Sequence, residues 1–172
     1  MIRIERANLN DVSVICHIGY AEVEAAHRAS CAPDILSVYL NKNYNEEAIR
    51  TELLNARNLY HVLWYNNEPV GFSKIVLHQH HPNIKVSPSA KLDRIYVSSA
   101  FHDKKLGAAL LQYNIELAKQ HGQQGLWLFT WIGNERAIRF YTKFGFEIVG
   151  SHWFEVSETH SNENHHMLLR WE

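Results

Sequence analysis

The run KLDRIYVSSAFHDKKLGAALL, from Lys91 to Leu111, changes its apolar period part-way along. Leu92, Ile95, Tyr96 and Val97 carry the β-branched and aromatic character of a strand, whereas Leu106, Ala109, Leu110, Tyr113 and Leu117 recur at helical spacing. A strand must therefore give way, across a short polar and basic loop, to a helix. His102, Asp103, Lys104, Lys105 and Gly107 fall between the two, and a helix starting there points its unpaired N–H groups and positive dipole end into the loop. Such a place suits an anion. It is neither a P-loop, G-x-x-x-x-G-K-[ST], nor a dinucleotide turn, G-x-G-x-x-G, since neither pattern occurs in the chain.

The flanking sequence predicts an α/β layered fold. Ile2 to Arg6 alternates as a half-buried strand does, and Asn8 or Asn10 then caps a helix whose Val12, Ile15, Cys16, Gly19 and Val23 carry it towards Arg28. Ala29 to Pro33 reads as a break and Ile35 to Leu40 as a short helical turn, before Asn45 caps the helix EEAIRTELLNAR. Tyr60 to Tyr65 and Pro69 to Leu77 form a hairpin around Asn66 and Asn67, and HQHHPNIKVSPS is a loop. After the helix that ends at Gly122 come a buried strand, Leu126 to Trp131, and a helix, NERAIRFYTKF, capped by Asn134 and ended by Gly145. Phe146 to Val156 and His165 to Trp171 supply two further strands, which pair within the chain or with another copy in a homodimer. The expectation is one domain over residues 1–172, with a central mixed twisted sheet of about seven strands flanked by about four helices.

Net charge narrows the partners. With its histidines neutral the chain carries −1, so neither nucleic acid nor an anionic membrane has a global electrostatic reason to bind it. No stretch approaches the ~20 apolar residues of a membrane span, and charges at Arg3, Glu5, Arg6 and Asp11 interrupt any secretory leader, so a cytoplasmic location is expected. Two cysteines, Cys16 in an apolar helical pattern, fit a reducing compartment. Of the twelve histidines, His78, His80 and His81 fall in an exposed loop, and no zinc-type spacing links them to His152, His160, His165 or His166, so no metal is expected. The tryptophans at 64, 127, 131, 153 and 171 fall in or beside strands, which assigns them to core packing.

The runs IYVSSAFHDKKLGAALL and WIGNERAIRFYTKFGFEIVG resemble the GCN5-related N-acetyltransferase (GNAT) superfamily, whose loop pattern after a strand is Q/R-x-x-G-x-G/A. LSVYLNKNYNEEAIRTEL, LDRIYV and NERAIRFYTKFGFEIVGSH are most similar to the PaiA-like polyamine acetyltransferases. The resemblance implies an acetyl-CoA site. Its pyrophosphate would lie on backbone N–H groups from His102 through Asp103, Lys104, Lys105, Leu106 and Gly107 to Ala108. The backbone of Ile95, Tyr96 and Val97 would pair with the pantetheine arm where this strand parts from the next. Asn134 and Ala137 would face that arm, Arg136, Arg139 and Lys143 the nucleotide end, and Tyr141 the sulfur, as the acid that protonates a leaving thiolate. The chain departs from the pattern at His102, where Gln or Arg is usual, and at Asp103 and Lys105, where glycine is common. Lys105 either crowds the backbone approach or contacts a phosphate.

Acetyl transfer needs a neutral nucleophile, and a primary amine of pKa ~10.4 is less than about 0.1% neutral at pH 7. Asp93 is the first candidate for proton acceptor, with Glu22, Glu24 and the histidines at 78, 80 and 81 as alternatives, and an N–H near Ile95 would polarise the thioester carbonyl. The expected activity is transfer of acetyl from acetyl-CoA to a small-molecule primary amine, polyamines first. A CoA-binding regulatory module without turnover and a peptide N-acetyltransferase are the other readings.

Overall fold

The structure, a computed structural model, describes residues 1–171. Seven strands, β1 (Ile2–Arg6), β2 (Asn58–Tyr65), β3 (Glu68–Val76), β4 (Ala90–Val97), β5 (Gly125–Trp131), β6 (Glu147–Ser157) and β7 (His160–Arg170), form one sheet in the order β1-β2-β3-β4-β5-β7-β6. Every neighbouring pair is antiparallel except β4 and β5. Asn66 and Asn67 join β2 to β3 with positive φ of 51° and 67°, the backbone that a tight two-residue hairpin turn demands and asparagine tolerates.

Helices cover both faces. On one lie α1 (Val12–His27), α2 (Pro33–Asn43) and α3 (Glu46–Leu54), burying Ile15, Leu40 and Ile49 with Tyr60 and Phe72 of the sheet. On the other lie α4 (Leu106–Gln120) and α5 (Glu135–Lys143), where Leu111, Ile115 and Tyr141 meet Leu126, Leu128 and Met167. α1 approaches closely at Gly19, where a Cβ would stand 2.3 Å from the ring of Tyr44.

Four expectations are corrected. The short turn expected at Ile35 to Leu40 is a helix of 11 residues, making five α-helices among the described residues; the break expected from Ala29 ends at Pro33, which opens this helix because the first helical position needs no N–H and accepts the fixed φ of proline. β7 begins at His160, five residues before the expected His165, since its inward positions there are polar: Asn162 and Asn164 alternate with half-exposed neighbours. Trp153 is 64% exposed on β6, whereas Trp127 is buried. His81 leaves its exposed loop and packs against His166, with ring centroids 4.5 Å apart, and against Trp127, Phe129 and His152. Among the described residues no helix is long and apolar enough to cross a membrane.

Candidate active site

β4 and β5 pair only at Ala90 with Leu126 and at Lys91 with Trp127, and then part. On its other side β4 pairs with β3, where Leu92 and Arg94 face the adjacent residues Ile75 and Lys74, so Asp93 is the extra residue of a β-bulge. A bulge adds twist and re-aims side chains, which moves β4 away from β5. A cleft of about 920 Å³ opens at the parting.

Its cofactor-side wall comes from the loop and helices that follow β4 and β5. Ile95, Tyr96 and Val97 line it from the stretch of β4 that has no β5 partner, and His102, Lys105, Gly107 and Ala108 line it from the loop and the start of α4. The N-terminus of α4 carries no side-chain cap, which leaves its first N–H groups for an anion. A Cβ at Gly107 would meet only the Phe140 ring, at 3.8 Å, so the approach to these groups is open. Lys105 adopts φ 57°, a left-handed backbone that a non-glycine residue holds at a cost. His102 Nε2 donates to the Val97 carbonyl at 2.8 Å, and its Nδ1 accepts from Arg136 at 2.8 Å, which ties the loop to β4 and to α5.

From α5, Asn134, Ala137 and Tyr141 face the same cleft. Asn134 caps the helix by accepting the Ala137 N–H at 3.2 Å. Burial, with Tyr96 nearby, pushes the Tyr141 phenol above its usual range, so it stays protonated, and its hydroxyl has no partner among the described residues. Asp103 and Lys104 are exposed, pair with each other at 3.6 Å and stand outside the cleft lining. Leu106 is buried among Leu63, Val70 and Leu110, so only its backbone can serve an anion, and Lys143 is exposed at the end of α5, also outside the lining.

The opposite wall belongs to α1, α2, β4, β5 and the β6–β7 hairpin. Lys91, Asp93 and Arg94 reach it from β4. Asp93 receives Lys74 at 2.8 Å on one oxygen and Lys91 at 2.8 Å on the other. Glu52 receives Lys74 at 2.8 Å and Arg94 at 3.3 Å, and Tyr60 donates to it while accepting from Arg94. Burial pushes the Asp93 carboxyl up, but the two ammonium groups outweigh it and hold the group well below the carboxylate range. Asp93 therefore does not suit the part of proton acceptor expected from the sequence: both oxygens are committed and its basicity is low. It ties Lys91 of its own strand to Lys74 of β3.

His27, Asn162 and Asn164, which the sequence reading missed, complete this wall together with Glu22, one of the alternative proton acceptors it named. His27 ends α1 against Trp131, ring centroids 5.9 Å apart, and burial holds its pKa below the usual value, so a neutral imidazole lines the cleft. Glu22 also lines it and accepts the Ser99 N–H at 3.0 Å. Asn162 and Asn164 of β7 line it, and Asn164 Oδ1 is buried without a hydrogen-bond partner among the described residues. The signal for the asparagines was the alternation of 162, 164 and 166, hidden because the inward residues are not apolar; His27 had none beyond its place at a helix end. Among the described residues no group of three or more His, Cys, Asp or Glu is arranged to hold a metal ion.

The sequence profile of the acetyltransferase (GNAT) family matches residues 20–146. An uncharacterized N-acetyltransferase of Lactobacillus delbrueckii subsp. lactis is 26% identical over 128 residues, 74% of this chain and 73% of that protein. Mycothiol acetyltransferase of Corynebacterium glutamicum is 33% identical over 93 residues, 52% of this chain and 28% of that protein. In three dimensions the chain is similar to PaiA N-acetyltransferase from Thermoplasma acidophilum in complex with coenzyme A, with a TM-score of 0.80, 18% identity and 99% of each chain covered. It is also similar to the ribosomal-protein-S18-alanine N-acetyltransferase of Escherichia coli, with a TM-score of 0.70, 22% identity, and 99% of this chain and 94% of that one covered.

Proposed function

The chain belongs to the acetyltransferase (GNAT) family, and from that premise we propose that it transfers the acetyl group of acetyl-CoA to the primary amine of a small molecule by direct attack. The enzyme class and the co-substrate follow from the family; the acceptor and the residue roles are our reading. The observation that carries this reading is the parting of β4 from β5 beside the uncapped N-terminus of α4. It offers an amide-rich arm a strand edge, a pyrophosphate a helix end, and both partners of the reaction one cleft.

Acetyl-CoA supplies the acetyl group as a thioester, whose carbonyl carbon the amine attacks and whose sulfur leaves. The backbone of Ile95, Tyr96 and Val97 holds the arm as an added strand would, and an N–H near Ile95 polarises the carbonyl. N–H groups from Lys105 to Ala108 hold the pyrophosphate, with Lys105 adding charge and His102 positioning Arg136 at the rim. Asp103, Lys104, Leu106 and Lys143 lie outside the lining, so they contribute through the loop's backbone or through charge at the outer, nucleotide end. Asn134 and Ala137 flank the arm. Tyr141, still protonated, gives its hydrogen to the departing sulfur. His27, neutral and facing the cleft, takes the proton that the amine sheds.

The test is release of free CoA from acetyl-CoA across a panel of small amines, with the N-acetyl product identified by mass. Amine-dependent release supports the reading. Tight binding of acetyl-CoA without release by any amine would favour a binding module instead, and release only with peptide N-termini would move the acceptor to another class.

A further inference from the structure

Where β4 leaves β5, the acceptor side of the cleft carries a local excess of positive charge. Lys74, Lys91 and Arg94 meet the carboxylates of Glu52 and Asp93 in one half-buried network, so three cations face two anions. The donors of Lys74 are directed to Glu52 and Asp93, and Arg94 binds Glu52 and Tyr60. Lys91 differs: of its three N–H bonds one is directed to Asp93, and the others have no partner among the described residues. Its ammonium stands 5.1 Å from the centroid of Phe129, itself part of the lining, and its side chain is 23% exposed.

The acids give the complementary picture. Among the described residues Glu22 and Asp93 are the carboxylates that line the cleft. Ser99 N–H engages the first, and Lys74 and Lys91 the second. Glu22, which keeps one oxygen free, is tied to Ser99 beyond the far end of β4, and Asp93 beside Lys91 is already met by two ammonium groups. Next to Lys91, among the described residues, no uncommitted carboxylate therefore stands to receive the second ammonium of a polycation, whereas Lys91 itself keeps unused donors at the cleft. An unbalanced positive charge in a poorly solvated site attracts an anion and lowers the pKa of a nearby ammonium group, which favours the neutral amine that attack requires. On β7, beyond β5 from Lys91, the unpartnered Oδ1 of Asn164 also lines the cleft and can accept an N–H.

We infer that the acceptor is a small amine carrying a carboxylate or equivalent single anion, which Lys91 binds while Asn164 accepts an N–H of the amine, and that polyamines are poor substrates. The inference rests on the acetyl-transfer reading above. Asp93 is a positioning residue in this scheme, holding Lys91 towards the cleft.

Matched amine sets decide it: glycine, glycinamide and ethylenediamine, then β-alanine, β-alaninamide and the diamine of the same chain length, each compared as kcat/KM per neutral amine. The carboxylate member is expected to exceed its amide by about tenfold or more, the scale of one charge-assisted hydrogen bond, with the diamine lowest. Lys91→Met is expected to erase the carboxylate-to-amide ratio and Lys91→Arg to keep it. Should Lys91→Met fail to fold, inhibition of the unmodified enzyme by propionate, competitive with the amine, is the expected result, and no inhibition would overturn the proposal. A diamine as good as the carboxylate, or an unchanged ratio in Lys91→Met, overturns this inference and leaves the acetyl-transfer reading standing. No acetylation of any member by enzyme that binds acetyl-CoA overturns both.

Discussion

One tyrosine and one lysine, Tyr141 and Lys105, carry predictions of their own. Tyr141 faces the cleft with its hydroxyl unpartnered, so Tyr141→Phe keeps the packing with Phe140 and Phe146 and removes the proton. Turnover is expected to fall about a hundredfold with acetyl-CoA affinity little changed, as read by steady-state rates and calorimetry. Unchanged turnover would remove Tyr141 from the mechanism. Lys105 sits at φ 57°, and Lys105→Gly is expected to raise stability by about 1 kcal/mol in a denaturant titration, because glycine meets no Cβ clash there. The same change takes a cation from the cleft lining and is expected to loosen acetyl-CoA severalfold.

At the level of elements, β4 is the part on which the site turns. Its bulge at Asp93 and its early parting from β5 come with the network of Asp93, Glu52, Lys74, Lys91 and Arg94. Breaking such a pair costs ~3–5 kcal/mol when fully buried, and with the Asp93 side chain 22% exposed Asp93→Asn is expected to cost about 2 kcal/mol. Its pH dependence has a definite sign. Burial raises the Asp93 and Glu52 carboxyls, but their cationic partners prevail and hold both below the ordinary range. The stability they contribute is therefore complete above pH ~4, where the unfolded carboxylates are ionised, and is lost as pH falls through the lower folded values. Asp93→Asn is expected to flatten that acid limb in chemical denaturation.

Much of this element was legible beforehand. The change of period between Val97 and Leu106 located the strand, the loop and the helix, and Asn134, Ala137 and Tyr141 at one helical face were readable from spacing. The bulge was not, because one extra residue in a strand leaves no mark on an apolar pattern this short. Nor were the partners of Asp93: Lys74 and Glu52 come from other elements, and long-range charge pairing has no local signature. β7 was read short for a related reason, since inward asparagines look like surface until the sheet places them over a cleft.

Taken whole, the molecule buries histidines on both faces of the sheet, and this sets how its stability responds to mild acid. Burial, assisted by Arg6 and His121, pushes His61 down to about 4; burial, assisted by His81, His152 and Lys91, pushes His166 down to about 4. In the unfolded chain both titrate near ~6.5, so below that the unfolded state binds protons the fold refuses. Stability is expected to be flat above pH ~6.5 and to decline as pH falls towards the folded value of about 4. His166→Phe, which keeps an aromatic ring against Trp127 and Phe129, is expected to lessen the decline, as followed by thermal unfolding across that range.

The whole architecture serves one arrangement: a sheet held together on both sides and opened in the middle, with a helix end at the mouth of the opening. The structure of the protein with acetyl-CoA bound tests this most directly. The account predicts the pantetheine arm along β4 from Ile95 to Val97, the pyrophosphate on the backbone of residues 105–108 and the sulfur beside Tyr141. A cofactor bound elsewhere, or β4 and β5 zipped together with the arm excluded, would contradict it.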